Sequence, residues 1–103
     1  MSKIFKYKII PNDDYIDIEM PSMAQLLTVQ VQRGEPYLWA MVDTSFPMQT
    51  RRFRLAGTGH PITEKSCDLA YIGTFQLHGG ALIFHLFEVT VIDPRLSRST
   101  ATA

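Results

Sequence analysis

Residues 26–43 read LLTVQVQRGEPYLWAMVD, and this stretch decides the fold class. Apolar side chains recur at alternate positions on both sides of Arg33-Gly34-Glu35-Pro36, which is the pattern of two strands joined by a tight turn. A turn at Gly34-Glu35 sets Gln32 opposite Tyr37. In that register one face of the hairpin is entirely aliphatic and must belong to the core. Its members are Leu27, Val29, Val31, Leu38, Ala40 and Val42.

The other face of this hairpin has the composition of a contact surface. Tyr37 and Trp39 lie there among uncharged side chains, namely Thr28, Gln30, Gln32 and Met41. Aromatic rings flanked by amides are common where proteins meet ligands or other subunits. Two interpretations stay open for Tyr37 and Trp39: a platform on which bases stack, or the seam of a homodimer.

A second hairpin is predicted from Tyr71–His78 and Ala81–Val89, joined by Gly79-Gly80. Two glycines suit the positive φ angles of a primed turn. This turn sets His78 opposite Ala81 and places five residues on the core side: Phe75, Leu77, Leu82, Phe84 and Leu86. The outer side is polar but not charged, with Thr74, Gln76, His78, Ile83 and His85.

The remaining segments extend the same pattern. Ile4–Ile10 and Tyr15–Met20 flank the turn-forming residues 11–14, so we expect an opening hairpin. No window holds a clean helical stripe. The sequence therefore predicts a mostly β protein, a small single-domain antiparallel β-sandwich or open barrel over residues 1–93. Residues 94–103, rich in Ser, Thr and Ala, are predicted to be a flexible C-terminal tail.

Composition limits the classes of partner. The chain has 10 Lys+Arg and 10 Asp+Glu, so its net charge of zero does not favour long nucleic acid. No apolar run approaches the roughly 18 residues of a membrane helix, and the start lacks a secretory cleavage site, so we expect no membrane contact and a cytoplasmic location. The single cysteine, Cys67, fits a reducing compartment. His78 and His85 have no third ligand nearby, so neither a metal nor another cofactor is expected.

The motif TRRFRLAGTGHPI, residues 50–62, concentrates positive charge in this neutral chain. Strand alternation points Arg52 and Arg54 outward as a pair and Phe53 inward. The following Gly57-Thr58-Gly59 turn is able to present backbone amides to phosphate, with the Thr58 hydroxyl and His60 as further donors. The alternative is a solvated or salt-bridged arginine pair beside an ordinary turn.

Catalysis has little support in the sequence. The carboxylates are scattered, and no Cys/His or Ser/His group sits beside an acid. His60 next to Thr58 is the one pairing suited to acid–base work, for example in phosphodiester cleavage. We expect the protein not to be an enzyme.

Two longer strings carry a family resemblance: VQVQRGEPYLWAMVDTSFPMQTRRFRLAGTGHPI and YIGTFQLHGGALIFHLFE, at residues 29–62 and 71–88. With LWA, TRRF, GTGHPI, YIGTF and HGG in this order, residues 4 to 89 resemble a widespread family of small proteins encoded by tailed phages. The resemblance extends to phage proteins that act as sponges for the cyclic nucleotide messengers of bacterial anti-phage defence (anti-CBASS type). It implies an anti-defence protein in the cytoplasm of the infected bacterial host.

A cyclic nucleotide needs arginine forks and amides for phosphate, aromatic planes for bases and amide side chains for base edges. The predicted ligand-binding residues are Tyr37, Trp39, Arg52, Arg54, Gly57, Thr58, Gly59, His60, Gln76 and His78. We expect this ligand to be sequestered by a homo-oligomer. The alternative is a structural or assembly-related phage protein that acts through protein–protein contacts. The ligand class also includes mononucleotide signals.

Overall fold

The computed structural model of the protein describes residues 1–90, and these residues contain seven strands. In chain order they are β1 (Ser2–Lys8), β2 (Tyr15–Pro21), β3 (Gln25–Gln32), β4 (Glu35–Asp43), β5 (Met48–Gly57), β6 (Leu69–Leu77) and β7 (Leu82–Val89). The described part of the chain contains no helix long and apolar enough to cross a membrane. The tail predicted at residues 94–103 lies outside the described residues.

The strands form two antiparallel sheets whose inner faces share one core. One sheet has the order β1-β4-β3 and the other the order β2-β5-β7-β6. The predicted β class is confirmed, because period-two alternation gives each sheet one apolar face to bury against the other. Side chains that are almost fully buried come from both sheets and from the β1–β2 connection: Ile9, Met20, Leu38, Val42, Phe53 and Leu86.

The predicted opening hairpin is wrong. β1 pairs with β4, so that Lys6 lies opposite Trp39, and β2 pairs with β5, so that Asp17 lies opposite Arg52. Ile9 is fully buried, and its N–H donates to the Pro36 carbonyl as the chain passes from one sheet to the other. Alternation marks a segment as a strand but does not choose its neighbour. Because β1 joins β4 and β2 joins β5, each of these two inner strands gains a neighbouring strand in its own sheet.

The register of the β3–β4 hairpin differs from the predicted one by two residues. Gln32 pairs with Glu35 and not with Tyr37. The turn is formed by Arg33 and Gly34, whose φ angles are both positive, at 53° and 80°, as a two-residue primed turn requires. A shift of two residues does not by itself move a side chain to the other face. The predicted core positions that are confirmed are Val29, Leu38, Ala40 and Val42.

Two predicted core residues of β3 are exposed. The register shifts between Leu26 and Thr28, so Leu26 packs toward the core in place of Leu27, which is 42% exposed. Val31 is 37% exposed because it lies opposite Pro36, beside the turn. A bulge inserts one residue into one strand, and it therefore moves the following side chains to the other face.

The second hairpin has the predicted register, with Phe75 opposite Phe84. Their rings stack with centroids 5.7 Å apart. The strands end at Leu77 and Leu82, one residue earlier on each side than predicted, and a short 3-10 turn over His78–Gly80 connects them. Leu82, predicted to be in the core, is 43% exposed because it adjoins this turn.

Gly73 allows the two sheets to approach closely along one side. A Cβ atom at Gly73 of β6 would lie 2.7 Å from Val29 Cγ1 of β3. We expect Gly73→Ala to lower the free energy of unfolding by about 1–3 kcal/mol, as overpacking does. Urea denaturation measures the change. A double-mutant cycle with Val29→Ala is the control: the alanine at position 73 should cost less when Val29 is shortened, and an unchanged cost would contradict this contact.

Candidate functional site

The three arginines of β5 do not form one cluster. Arg51 points to the inner face, where it makes a two-pronged ion pair with Glu88 of β7, at 2.6 Å and 2.8 Å. It also donates to the Ala24 carbonyl at 2.6 Å. These partners engage its guanidinium within the chain, so Arg51 is not part of an outward-pointing arginine pair.

Arg52 lies on the outer face of the four-stranded sheet, as predicted. It donates to both carboxylate oxygens of Asp17, at 2.8 Å and 3.0 Å. These hydrogen bonds hold the pKa of the Asp17 carboxyl below its usual range. The guanidinium also lies over the Tyr15 ring, 5.7 Å from its centroid. The salt-bridged interpretation of Arg52 is therefore the one that the contacts favour.

The outward, solvent-facing position predicted for Arg54 is wrong. Arg54 is only 5% exposed. It donates to Glu64 at 3.1 Å, to the Leu55 carbonyl at 2.6 Å and to the Pro61 carbonyl at 3.2 Å. The cause is the loop at residues 58–65, which covers the outer face of β5 and supplies two of these acceptors. Arg54 fixes that loop in place and is not available to a ligand.

The Gly57-Thr58-Gly59 turn uses its amides within the chain. The Thr58 N–H donates to the Ile83 carbonyl at 3.1 Å, and the His60 N–H donates to the Gly57 carbonyl at 3.0 Å. The His60 ring packs on Gly57, where a Cβ atom would lie 2.9 Å from Nδ1. Of the predicted phosphate donors, the Thr58 N–H is therefore already hydrogen-bonded within the chain. A shallow cavity of about 270 Å³ remains between this turn and the start of β7.

Thr58 pairs with a histidine that the sequence did not single out as its partner. Its hydroxyl lies 2.7 Å from His85 Nε2, while His85 Nδ1 lies 2.8 Å from the Thr74 hydroxyl. The Tyr71 hydroxyl lies 2.6 Å from the same Thr74 oxygen. The chain of hydroxyls holds the imidazole at both nitrogens. His60, which the sequence analysis considered for acid–base chemistry, is not part of it.

Gln76 and His78 lie at the same end of the four-stranded sheet as the glycine turn. Gln76 is paired with Ile83, which lines the 270 Å³ cavity, and His78 accepts from the Ala81 N–H at its carbonyl. Both side chains are exposed. The structure thus brings six of the ten predicted residues to one end of this sheet, without the arginines that were expected to bind phosphate.

Tyr37 and Trp39 lie on the outer face of the three-stranded sheet, where Lys6 joins them. The Lys6 Nζ atom is 4.5 Å from the Tyr37 ring centroid and 5.6 Å from that of Trp39. It also donates to Gln32 at 2.7 Å. Lys6 was not among the predicted residues, because only the pairing of β1 with β4, which are distant in sequence, brings it here. We define the aromatic face as Lys6, Gln32, Arg33, Tyr37 and Trp39.

A cavity of about 320 Å³ opens on the aromatic face, lined by Lys6, Gln32, Arg33, Glu35 and Tyr37. Its polar groups carry both signs of charge. Glu35 pairs with Lys8 at 3.0 Å and accepts from the Tyr37 hydroxyl at 3.1 Å. The hydrogen bond from Lys8, followed by that from Tyr37, holds the pKa of the Glu35 carboxyl below its usual range. The result is a site with two cations, one partnered carboxylate, one amide and adjacent aromatic rings.

The aromatic face and the predicted phosphate site lie on opposite sides of the core. Trp39 is on the outer face of one sheet and Arg52 on the outer face of the other, with the shared core between them. Within one chain, no ligand of nucleotide size contacts both. The aromatic face combines an aromatic ring, two cations and an amide around one cavity, with Trp39 beside it, so among the described residues it is the stronger candidate.

The sequence model of a protein family, described as a domain of unknown function, matches residues 1–96. This match includes all seven strands and therefore both outer faces. No curated protein and no solved structure matches the chain.

Proposed function

The chain belongs to the DUF7352 family, a domain of unknown function, and we propose that it is a non-catalytic protein that binds and sequesters a cyclic (oligo)nucleotide on its aromatic face. The observation that carries the proposal is the position of Lys6, whose ammonium group lies near two ring centroids and at the mouth of a cavity shared with Arg33. Cations beside half-buried ring planes suit a ligand that is both anionic and aromatic.

The groups of the aromatic face match the parts of such a ligand. Any of the nucleic-acid bases is able to stack on an aromatic ring, because every base has a π-face. A phosphodiester accepts hydrogen bonds from ammonium and guanidinium groups, here Lys6 and Arg33. The Gln32 amide offers a donor and an acceptor to a base edge. The cavity of about 320 Å³ is at the small end of the range for ligand pockets, so part of the ligand would stay exposed.

Sequestration without turnover agrees with the chemistry of the lining. The described residues that line this cavity carry no imidazole and no thiol, the groups that most often activate a nucleophile near neutral pH. Their one carboxylate, Glu35, is already paired with Lys8. The cavity therefore offers groups suited to binding: two cations, one amide and one aromatic ring.

The resemblance to small tailed-phage proteins supports a biological setting for this binding. We propose that the ligand is an immune signal of the infected bacterium and that the protein acts in the host cytoplasm by depleting it. Such a role needs tight binding and high abundance and needs no chemical step.

Trp39 provides a direct test, because it is the only tryptophan in the chain. We expect a cyclic di- or trinucleotide to change the Trp39 fluorescence as a base stacks beside it, and the nucleotide to be recovered unaltered when the protein is denatured. Tyr37→Leu should weaken binding by about 5- to 150-fold, the equivalent of 1–3 kcal/mol for one stacked base.

Tyr71→Leu is the matched control, because Tyr71 is an exposed aromatic residue on the other sheet. It should leave the affinity unchanged. The proposal would be wrong if no cyclic nucleotide altered the fluorescence, or if both leucine variants lost affinity equally. Recovery of a linear product would identify an enzyme instead.

The alternative function, a structural or assembly-related role, is favoured by one further observation. Ile4 and Met41 are paired across β1 and β4 on the same outer face as Trp39, and they are 61% and 37% exposed. Exposed apolar side chains beside an aromatic pair are typical of protein interfaces. In that case Tyr37→Leu would abolish contact with a protein partner and no nucleotide would bind.

A further inference from the structure

One long side of the sandwich is open. β3 and β6 approach each other on the opposite side, where Gly73 meets Val29. β1 and β2 are the outermost strands on the open side, and each has one pairing neighbour among the described residues. Phe5 points to the inner face because it is paired with Ala40, yet it is 38% exposed. The core is therefore incompletely covered at this edge, because an inward-pointing aromatic ring remains partly exposed.

The two open edges carry opposite charges. β1 contains Lys3, Lys6 and Lys8, while β2 and the residues just before it contain Asp13, Asp14, Asp17 and Glu19. All seven side chains are exposed. Charges on an edge strand oppose pairing with an edge of the same sign. Between two copies of the chain, these charges therefore disfavour the pairing of β1 with β1 and of β2 with β2. They favour the pairing of β1 of one copy with β2 of the other.

The directions of the strands allow β1 to pair with β2 of a second copy at two places in one closed dimer. Residues 44–47 join the end of β4 to the start of β5, and residues 9–14 join the end of β1 to the start of β2, so each short connection returns the chain along the sandwich. β1 is antiparallel to β4, and β2 is antiparallel to β5. β1 and β2 are therefore opposite in direction. A two-fold axis parallel to the strands exchanges the sheets without reversing the strands, so it sets β1 of each copy antiparallel to β2 of the other.

We propose that two copies of this chain form an isologous dimer through these two edge pairings. Alternation then brings like faces together. On the inner side, Phe5 and Tyr7 meet Ile16 and Ile18 of the second copy. On the outer side, Lys6 and Lys8 meet Asp17 and Glu19 of the second copy. The existing pairs Lys8–Glu35 and Asp17–Arg52 are solvent-exposed and are therefore weak competitors.

The dimer also joins the two outer faces that one chain keeps apart. The outer face of β1 continues into that of β2 from the second copy and then into β5. Arg52 of the second copy lies three strands from Trp39, roughly 14 Å at about 4.8 Å per strand. The interface itself does not depend on the proposed ligand.

The test measures the mass of the full chain in solution by sedimentation velocity, without ligand. We expect twice the chain mass of 11.7 kDa. Two charge-reversed variants, Lys6→Glu/Lys8→Glu and Asp17→Lys/Glu19→Lys, should each be monomeric, because the outer faces of β1 and β2 then carry charges of the same sign. Mixed in equal amounts, they should form a heterodimer, because every edge again meets an opposite charge.

The mixing step separates a lost interface from a lost fold, since a variant that fails to fold does not recover a partner. A monomeric wild-type chain at high concentration would overturn the proposal. Variants that remain dimeric, or that stay monomeric after mixing, would also overturn it, because either result requires a different interface or none.

Discussion

Arg54→Met is expected to lower the free energy of unfolding by about 3–5 kcal/mol, because it leaves the Glu64 carboxylate buried without its cation. Arg54 is 5% exposed, and its guanidinium serves three acceptors, one in β5 and two in the loop at residues 58–65. One Glu64 oxygen already lacks a protein hydrogen-bond partner. Chemical denaturation gives the change, and limited proteolysis should show faster cleavage within this loop.

Arg52→Met is the matched control for Arg54. The two side chains leave the same face of β5 and both lie over Tyr15, but Arg52 forms an exposed pair with Asp17. Its loss should cost less than about 1 kcal/mol. The double variant Arg54→Met/Glu64→Met should recover part of the lost stability. Equal losses for the two single arginine variants would contradict the structural role assigned to Arg54.

Phe53→Ala should cost about 3–5 kcal/mol, as the truncation of a fully buried aromatic residue does. Phe53 has no exposed surface and lies between Ile16 of β2 and Glu88 of β7 in the four-stranded sheet. Its ring fills the space between the sheets at the centre of the longest strand. The denaturant midpoint should fall while the m-value stays constant.

Phe46→Ala provides the comparison for Phe53. Phe46 lies between β4 and β5 and is 43% exposed, so the same truncation should change stability by about 0.5 kcal/mol or less. Similar losses at the two positions would mean that the core is not centred on Phe53.

Local pattern predicted the hairpins of this fold better than the assembly of strands. The β6–β7 register followed from the Gly79-Gly80 turn and was correct. The predicted β3–β4 register was wrong by two residues, because the turn lies at Arg33-Gly34 and not at Gly34-Glu35, with Arg33 at a positive φ angle. Which sheet receives β1 or β2 depends on apolar contacts between distant segments, and alternation within a strand does not encode them.

The candidate site shows the same division. Strand alternation placed Tyr37, Trp39 and Arg52 on outer faces, where they lie. It also pointed Arg54 outward, but what covers an outer face is decided by loops, and here the loop at residues 58–65 buries it. Lys6 was missed for a related reason, since it reaches the aromatic rings only through the pairing of β1 with β4.

The Lys6 ammonium group already contacts the two rings of the aromatic face, Tyr37 and Trp39. Any base that stacks on Tyr37 or Trp39 must first displace an ammonium group that gains from both rings. A neutral aromatic compound offers the displaced lysine no new partner and bears the full cost of that exchange. A phosphate next to the base offers one. Under the proposed function, we therefore expect Lys6 to favour ring compounds that carry their own anion over uncharged ones.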